Sequence, residues 1–315
     1  MRALVIGAGA IGTVYARHLE RGGADVCFLV RPGRGGDVRR GLPVTPINEG
    51  RGVVELRCPA VTSVPEGVDL VVLALPSDAL AGDWLGDLLR RTAGATILLL
   101  SPGLDDRALV TAHVDEALVV QGRITAVAWR APLPGEDLEP SLAYWVPPGA
   151  APLWGPRAGE VAAVLDAGGL ASRVVPSPPE PTGSAVLLPL VASLEASGWS
   201  ILRLVSSGSL PVTARAIREA LGVSGRPVWA ALVRPWTLRA VLALVPWLTP
   251  FPLEAYVARH FSKLGAQTRL QLDAFIARGT RAGEETGALR ALRGALVRGR
   301  ADAPHLAGWG PAGAT

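Results

Sequence analysis

Residues 1–21, MRALVIGAGAIGTVYARHLER, decide the fold. Ala3 to Ile6 is a short apolar run of strand type, and Ile11 to Arg21 carries apolar residues at helical spacing. Between them Gly7-Ala8-Gly9-Ala10-Ile11-Gly12 spells G-x-G-x-x-G. A strand that passes through spaced glycines into a helix predicts the first turn of a parallel sheet wound with helices. Gly7 permits the tight turn, Gly9 lets the backbone approach a pyrophosphate, and Gly12 lets helix pack closely on strand. The phosphates would then sit among the free N–H groups of Gly9, Ala10, Ile11 and Gly12, where the helix dipole favours anions. The competing readings are a glycine-rich turn without a ligand and a secretory leader, which also opens with an early Arg and an apolar run.

Outward from this turn the alternation continues. Ala24 to Val30 is a second strand, bounded by Gly22-Gly23 and Pro32-Gly33. It ends Leu29-Val30-Arg31, where an NAD site usually places Asp or Glu on the ribose hydroxyls. Arg31, with Arg34 nearby, suits a ribose 2′-phosphate instead, so the spacing favours NADP(H) over NAD, unless these arginines belong to a solvated loop. Asp69 to Leu75 (DLVVLAL) is a continuous apolar strand of the kind buried on both faces. A helical segment from Leu80 to Arg91 and strands at Thr96 to Leu100 and Ala117 to Val120 repeat the pattern. Leu75, Pro76 and Ser101 follow two of these strands and complete the expected cofactor set.

From Trp129 onward prolines break any long helix, predicting loops and edge strands, then a helix near Gly159 to Asp166 and a strand at Arg173 to Val175. The run SPPEP at Ser177 to Pro181 marks a linker. Beyond it the spacing is helical through Ser184 to Val205, Val212 to Leu221, Val228 to Val245, Leu253 to Arg278 and Glu285 to Val297. The tail after Arg300, rich in Gly, Ala and Pro, should be frayed.

Composition narrows the function classes. The chain has 315 residues, 49% of them hydrophobic and 18% charged, enough for a large core. Its 31 Lys plus Arg against 27 Asp plus Glu leave a net charge of only +4, and Lys263 is the single lysine. That argues against a nucleic-acid partner. Cys27 and Cys58 form no C-x-x-C pattern and read as buried reduced thiols, which fits a cytoplasmic protein. The longest apolar runs, Pro181 to Leu194 and Ala240 to Leu253, are proline-interrupted and shorter than the roughly 20 residues of a membrane span, so no membrane partner is expected. No H-E-x-x-H, G-x-S-x-G or acidic metal cluster occurs.

GAGAIG, the second strand ending in Arg31, DLVVLAL, ILLLSPGL and the later LQLDAFIARG together resemble the ketopantoate reductase family. The resemblance implies an α/β chain: an N-terminal Rossmann doubly wound parallel sheet binding NADP over 1–178, an all-α substrate and dimerisation domain over 179–300, and a flexible tail over 301–315. It further implies NADPH-dependent hydride transfer to a small 2-oxo acid in a cleft. Four of the family's polar positions differ here. Its lysine after the DLVVLAL-like strand is Pro76, and its asparagine in the following turn is Pro102. Its helical-domain glutamate falls on Gln271, and its general-acid lysine has no counterpart in Glu180 to Leu194. The expected activity is therefore reduction of a carbonyl or imine compound other than ketopantoate, with a catalytically silent NADP-binding protein as the alternative.

Two residues are candidate proton donors. Lys263 lies on a polar stripe with Tyr256, His260, Gln267 and Gln271, which faces either solvent or the active site. Glu195 interrupts the apolar stretch LLPLVASLEASGWSIL, where a carboxyl would have a raised pKa, reach the surface or pair with an Arg. His18 is placed on the surface of the first helix, with no role. Trp229, Trp236 and Trp247 read as core packing or as the wall of a large apolar pocket for a bulkier, apolar substrate. The excess of apolar positions in the helical half also makes a homodimer plausible.

Overall fold

The computed structural model describes residues 1–31, 41–100, 103, 105–178, 182–262 and 265–301. The chain forms two compact units. One is Met1–Pro181 together with Thr249–Tyr256; the other is Thr182–Leu248 together with the chain from Val257 onward.

The strands of the first unit are β1 (Arg2–Ile6), β2 (Asp25–Leu29), β3 (Leu42–Pro46), β4 (Val54–Leu56), β5 (Ala60–Val61), β6 (Leu70–Leu73), β7 (Thr96–Leu99), β8 (Val119–Gly122), β9 (Val127–Ala131), β10 (Ser141–Trp145), β11 (Ala151–Trp154) and β12 (Ser172–Val174). Its helices are α1 (Ala10–Arg21), α2 (Trp84–Arg91), α3 (Asp106–Thr111) and α4 (Ala158–Ala167). Eight strands form one sheet in the order β12-β11-β8-β7-β6-β1-β2-β5. Neighbouring strands in it run parallel, except β11 against β8. The chain leaves β1 for β2 on one side and returns to β6 on the other, so the strand order reverses at β1. In such sheets the crevice beyond the carboxyl ends of the strands at the reversal is the binding edge.

Alternation along the strands explains their unbroken apolar runs. Ala3, Val5, Leu70, Val72 and Leu98 join one buried layer with Val14, Tyr15 and Leu19 of α1 and Val161 and Leu165 of α4. Leu4, Ile6, Val71, Leu73, Ile97 and Leu99 join the other, with Leu85, Leu88 and Leu89 of α2. The helix predicted from Leu80 starts as a 3-10 turn, Ser77–Leu80, and only then becomes α2.

A second, four-stranded sheet has the order β4-β3-β10-β9. Part of the proline-rich stretch read as loops and edge strands thus pairs with residues 42–56. Into it packs a short segment from much later in the chain. Phe251 packs on Trp129 with its ring tilted and the centroids 4.7 Å apart, Tyr256 meets Phe251 edge-on at 5.1 Å, and Arg51 donates to the Pro250 carbonyl at 3.1 Å.

The second unit contains α5 (Thr182–Ala196), α6 (Ile201–Ser206), α7 (Leu210–Val223), α8 (Pro227–Leu232), α9 (Pro235–Leu248), the end of α10 (Leu253–Phe261), α11 (Gly265–Ala282) and α12 (Gly287–Ala301). Its described residues form no strand. Helix α7 is central and packs on α5, α8, α9, α11 and α12. Small residues on it (Ala214, Ala216, Ala220) are fully buried and allow that close approach.

Four sequence expectations need correction here, the first being the helix predicted over Val228 to Val245, which is two helices, α8 and α9. The helix predicted over Ser184 to Val205 breaks at Gly198 and Trp199, which both take positive φ, 63° and 62°. The helix predicted over Leu253 to Arg278 is two helices, α10 and α11. Trp229, Trp236 and Trp247 are not core residues, because all three are exposed.

Candidate active site

The glycine turn has the geometry its spacing predicts. Gly7 takes φ +102°, and a Cβ there would lie 2.7 Å from the Ala74 carbonyl oxygen, so no L side chain fits without strain. A Cβ on Gly12 would collide with the Gly7 carbonyl. Gly9 differs: a Cβ there would meet nothing within 4 Å. The packing constraint therefore falls on Gly7 and Gly12, whereas Gly9 faces open space at the amino end of α1. The first turn of that helix has no acidic residue, and no side chain caps it. Its first N–H groups are thus a place where an anion is favoured, and these residues fit the pyrophosphate of a dinucleotide. Ala10 and Ile11 begin the helix half-buried.

Arg31 stands two residues beyond the carboxyl end of β2 and is exposed. Leu75 and Pro76 follow β6, with Leu75 half-buried and Pro76 exposed. Ser101, Arg34 and Pro102 lie outside the described residues.

Sequence reasoning missed a buried latch between the loops after β6 and β7. Asp106, at the start of α3, accepts from Ser77 Oγ at 2.8 Å and from the Gly103 amide at 2.7 Å with the same oxygen. Burial is the main influence on its carboxyl and raises its pKa, while the two hydrogen bonds lower it. A side chain at Gly103 would overlap both Asp106 and Ser77. The available signal was the Asp105-Asp106 pair, which marks a helix start.

A second buried network fixes α1. Arg17 reaches Tyr144 Oη at 2.5 Å and Glu49 at 2.7 Å, and Arg21 reaches the other Glu49 oxygen at 2.6 Å. The guanidinium bonds hold the Glu49 carboxyl below its usual pKa. His18, expected on the surface, is buried, because α1 is covered on that side too. Its Nδ1 lies 2.8 Å from the Gly168 carbonyl and its Nε2 3.2 Å from Tyr144 Oη. A neutral ring with the proton on Nδ1 satisfies both contacts. Burial pushes its pKa below the ordinary value.

The candidate proton donors stand differently. Lys263 lies outside the described residues. Glu195, on α5, is mostly buried, with Oε1 3.8 Å from Arg269 Nη1 of α11, which matches the arginine pairing weighed for it. The described residues of the polar stripe lie on two helices and not on one. Tyr256 is on α10 and groups with the first unit, while Gln267 and Gln271 are on α11 in the second. Gln271 Nε2 is buried and has no hydrogen-bond partner among the described residues. Cys27 and Cys58 are buried free thiols, and burial pushes Cys58 up to about 12. Among the described residues no group of three His, Cys, Asp or Glu could hold a metal ion, and no single helix is long and apolar enough to cross a membrane.

Residues 3–135 match the family model described as Ketopantoate reductase PanE/ApbA. Several solved structures share the fold. The 2-dehydropantoate 2-reductase from Geobacter metallireducens GS-15 is 19% identical, with a TM-score of 0.66 over 95% of this chain and 99% of that one. A PanE/ApbA family ketopantoate reductase from Ralstonia eutropha JMP134 is 19% identical, with a TM-score of 0.68 over 96% and 99%. D-mandelate dehydrogenase, in a ternary complex with NADH and anilino(oxo)acetate, is 16% identical, with a TM-score of 0.70 over 96% and 99%. No curated protein matches the chain.

Proposed function

We propose that this chain, whose residues 3–135 match the ketopantoate reductase PanE/ApbA model, is an NADPH-dependent oxidoreductase whose substrate is a carbonyl or imine compound other than ketopantoate. The observation that carries the reading is the uncapped amino end of α1, with open space at Gly9 beside a turn that admits only glycine at Gly7 and Gly12.

In this reading the N–H groups of the turn and of Ala10 and Ile11 bind the pyrophosphate. Arg31 takes the ribose 2′-phosphate with charge-assisted bonds, in the place where an NAD site would carry an acid. Leu75, Pro76 and Ser101, beyond β6 and β7, border the nicotinamide end, where apolar Leu75 and Pro76 keep water away. Bound NADPH supplies the hydride. The proton for the developing negative charge falls to Lys263, the only lysine, or to Glu195, and replacing each in turn distinguishes them. With Pro76 and Pro102 where the family's lysine and asparagine stand, the chain lacks the polar contacts of that reaction, which supports a different substrate.

The test is a fluorescence titration with NADPH and with NADH. A 2′-phosphate read by a guanidinium contributes about 1.5–3 kcal/mol, so NADPH should bind roughly ten- to a hundredfold more tightly, and Arg31→Ser should abolish the preference. Equal affinities would remove the NADP assignment. Binding of neither cofactor would remove the redox reading altogether.

A further inference from the structure

Helix α9 has its apolar character on the wrong side. At 100° per residue Trp236, Ala240, Leu244 and Trp247 form one row. The buried residues of this helix, Leu238 and Leu242, lie on the opposite side, against α7. The outward row is uncovered, with Trp236 71% and Trp247 86% exposed. Next to it in sequence, Val228, Trp229 and Leu232 of α8 are exposed as well. Three tryptophans and several aliphatic residues of these two helices thus stand exposed, apolar surface of a kind that isolated proteins rarely show to water.

The charges carried by this stretch of chain have one sign. Arg226, Arg234 and Arg239 accompany the two helices, and no acidic residue occurs between Glu219 and Glu254. Arg234 and Arg239 are exposed. We propose that the outward face of α8 and α9 docks on an anionic membrane surface, with the indoles at headgroup depth and the arginines on lipid phosphates. Trp favours that depth because its ring is apolar and its N–H is polar. Each arginine near an anionic leaflet adds to the attraction. The helices lie on the membrane and do not cross it. The fourteen residues of α9 reach about 21 Å, against a hydrocarbon core of roughly 30 Å. A second copy of the chain is the competing occupant, but a self-complementary contact of these two helices would set their arginines against their own image, and the helices themselves carry no carboxylate to answer the guanidiniums.

The inference does not depend on the oxidoreductase reading, and its test needs no turnover. Full-length protein is sedimented with vesicles of phosphatidylcholine alone and of phosphatidylcholine with phosphatidylglycerol, at low and high salt, while sedimentation velocity reports its own association state. The proposal expects at least tenfold more binding to the anionic vesicles, weakened by salt, and quenching of tryptophan fluorescence by brominated lipid. The pair Trp236→Ser and Trp247→Ser should remove the binding without lowering the melting temperature. Arg226→Gln, Arg234→Gln and Arg239→Gln together should weaken it on anionic vesicles only. Absence of binding to anionic vesicles overturns the proposal. So does a dimer that the two tryptophan substitutions dissolve, because a second copy would then cover the face.

Discussion

Helices α1 and α9 are nearly equal in length, and their burial runs against their composition. Helix α1 carries Arg17, His18, Glu20 and Arg21, yet everything from Gly12 to Leu19 is buried. Helix α9 is apolar apart from Thr237 and Arg239, and it buries only Leu238 and Leu242. The difference lies in what closes around each one. Helix α1 packs against β1, β2, β9 and α4, whereas α9 packs mainly against α7. Tertiary layers decide burial, and the buried Arg17 and His18 of α1 are tolerated because each has a partner: Glu49 and Tyr144 for Arg17, Gly168 and Tyr144 for His18. The apolar residues of α9 tell the opposite story, of a surface prepared for something outside the chain.

Three substitutions or conditions would break or sharpen this contrast. The largest effect is expected from Gly12→Val in α1. A branched side chain there must displace the Gly7 carbonyl, which overpacks the interface at a cost of about 3 kcal/mol and distorts the anion site. Urea denaturation should show the loss, and NADPH binding should fall with it; a variant of unchanged stability would mean that the turn is not held by close packing.

Acidification comes next. His18 is neutral when folded, with a pKa below its ordinary 6.5, so the unfolded chain binds more protons there. Stability should be full above pH 6.5 and decline as pH falls through that value towards the lower folded one. Glu49, also depressed, adds a further loss as pH falls below its ordinary 4.5. Melting curves between pH 8 and 4 should show the first decline in the wild type and not in His18→Asn, whose amide can still donate to the Gly168 carbonyl. An identical pH profile for both would remove His18 as its source.

The smallest effect belongs to α9. Trp247→Ser alone should change stability by no more than about 0.5 kcal/mol, since an exposed side chain has little packing to lose. A loss of 2 kcal/mol by the same denaturation measurement would show that the indole is packed in solution.

The sheet could be read from local sequence because its constraints are local. Strands buried on both faces leave continuous apolar runs such as DLVVLAL, and a strained turn leaves glycines at fixed spacing. The second sheet could not, since β3 pairs with β10 across nearly a hundred residues and nothing in either strand names its partner. The exposure of the tryptophans was hidden for a related reason. Helical spacing shows that α9 has an apolar face, but not how many of its faces are covered. In the site, Gly7 and Gly12 announced themselves by backbone need, and Gly9 by its spacing between them. Asp106 did not, because a buried carboxylate serving Ser77 and Gly103 looks in sequence like any acid at a helix start.

The aromatic segment seated on the second sheet sets an order of events during synthesis. Phe251 and Tyr256 complete the cluster around Trp129, Ala131 and Leu133, but they emerge from the ribosome after α5 to α9 have already been made. The amino-terminal unit therefore cannot close its last hydrophobic cluster when its own 181 residues are free. Until residue 256 appears, the nascent chain carries an open aromatic socket, the kind of transient surface that chaperones hold. Interrupting translation between these points should yield a sheet that is built but not sealed.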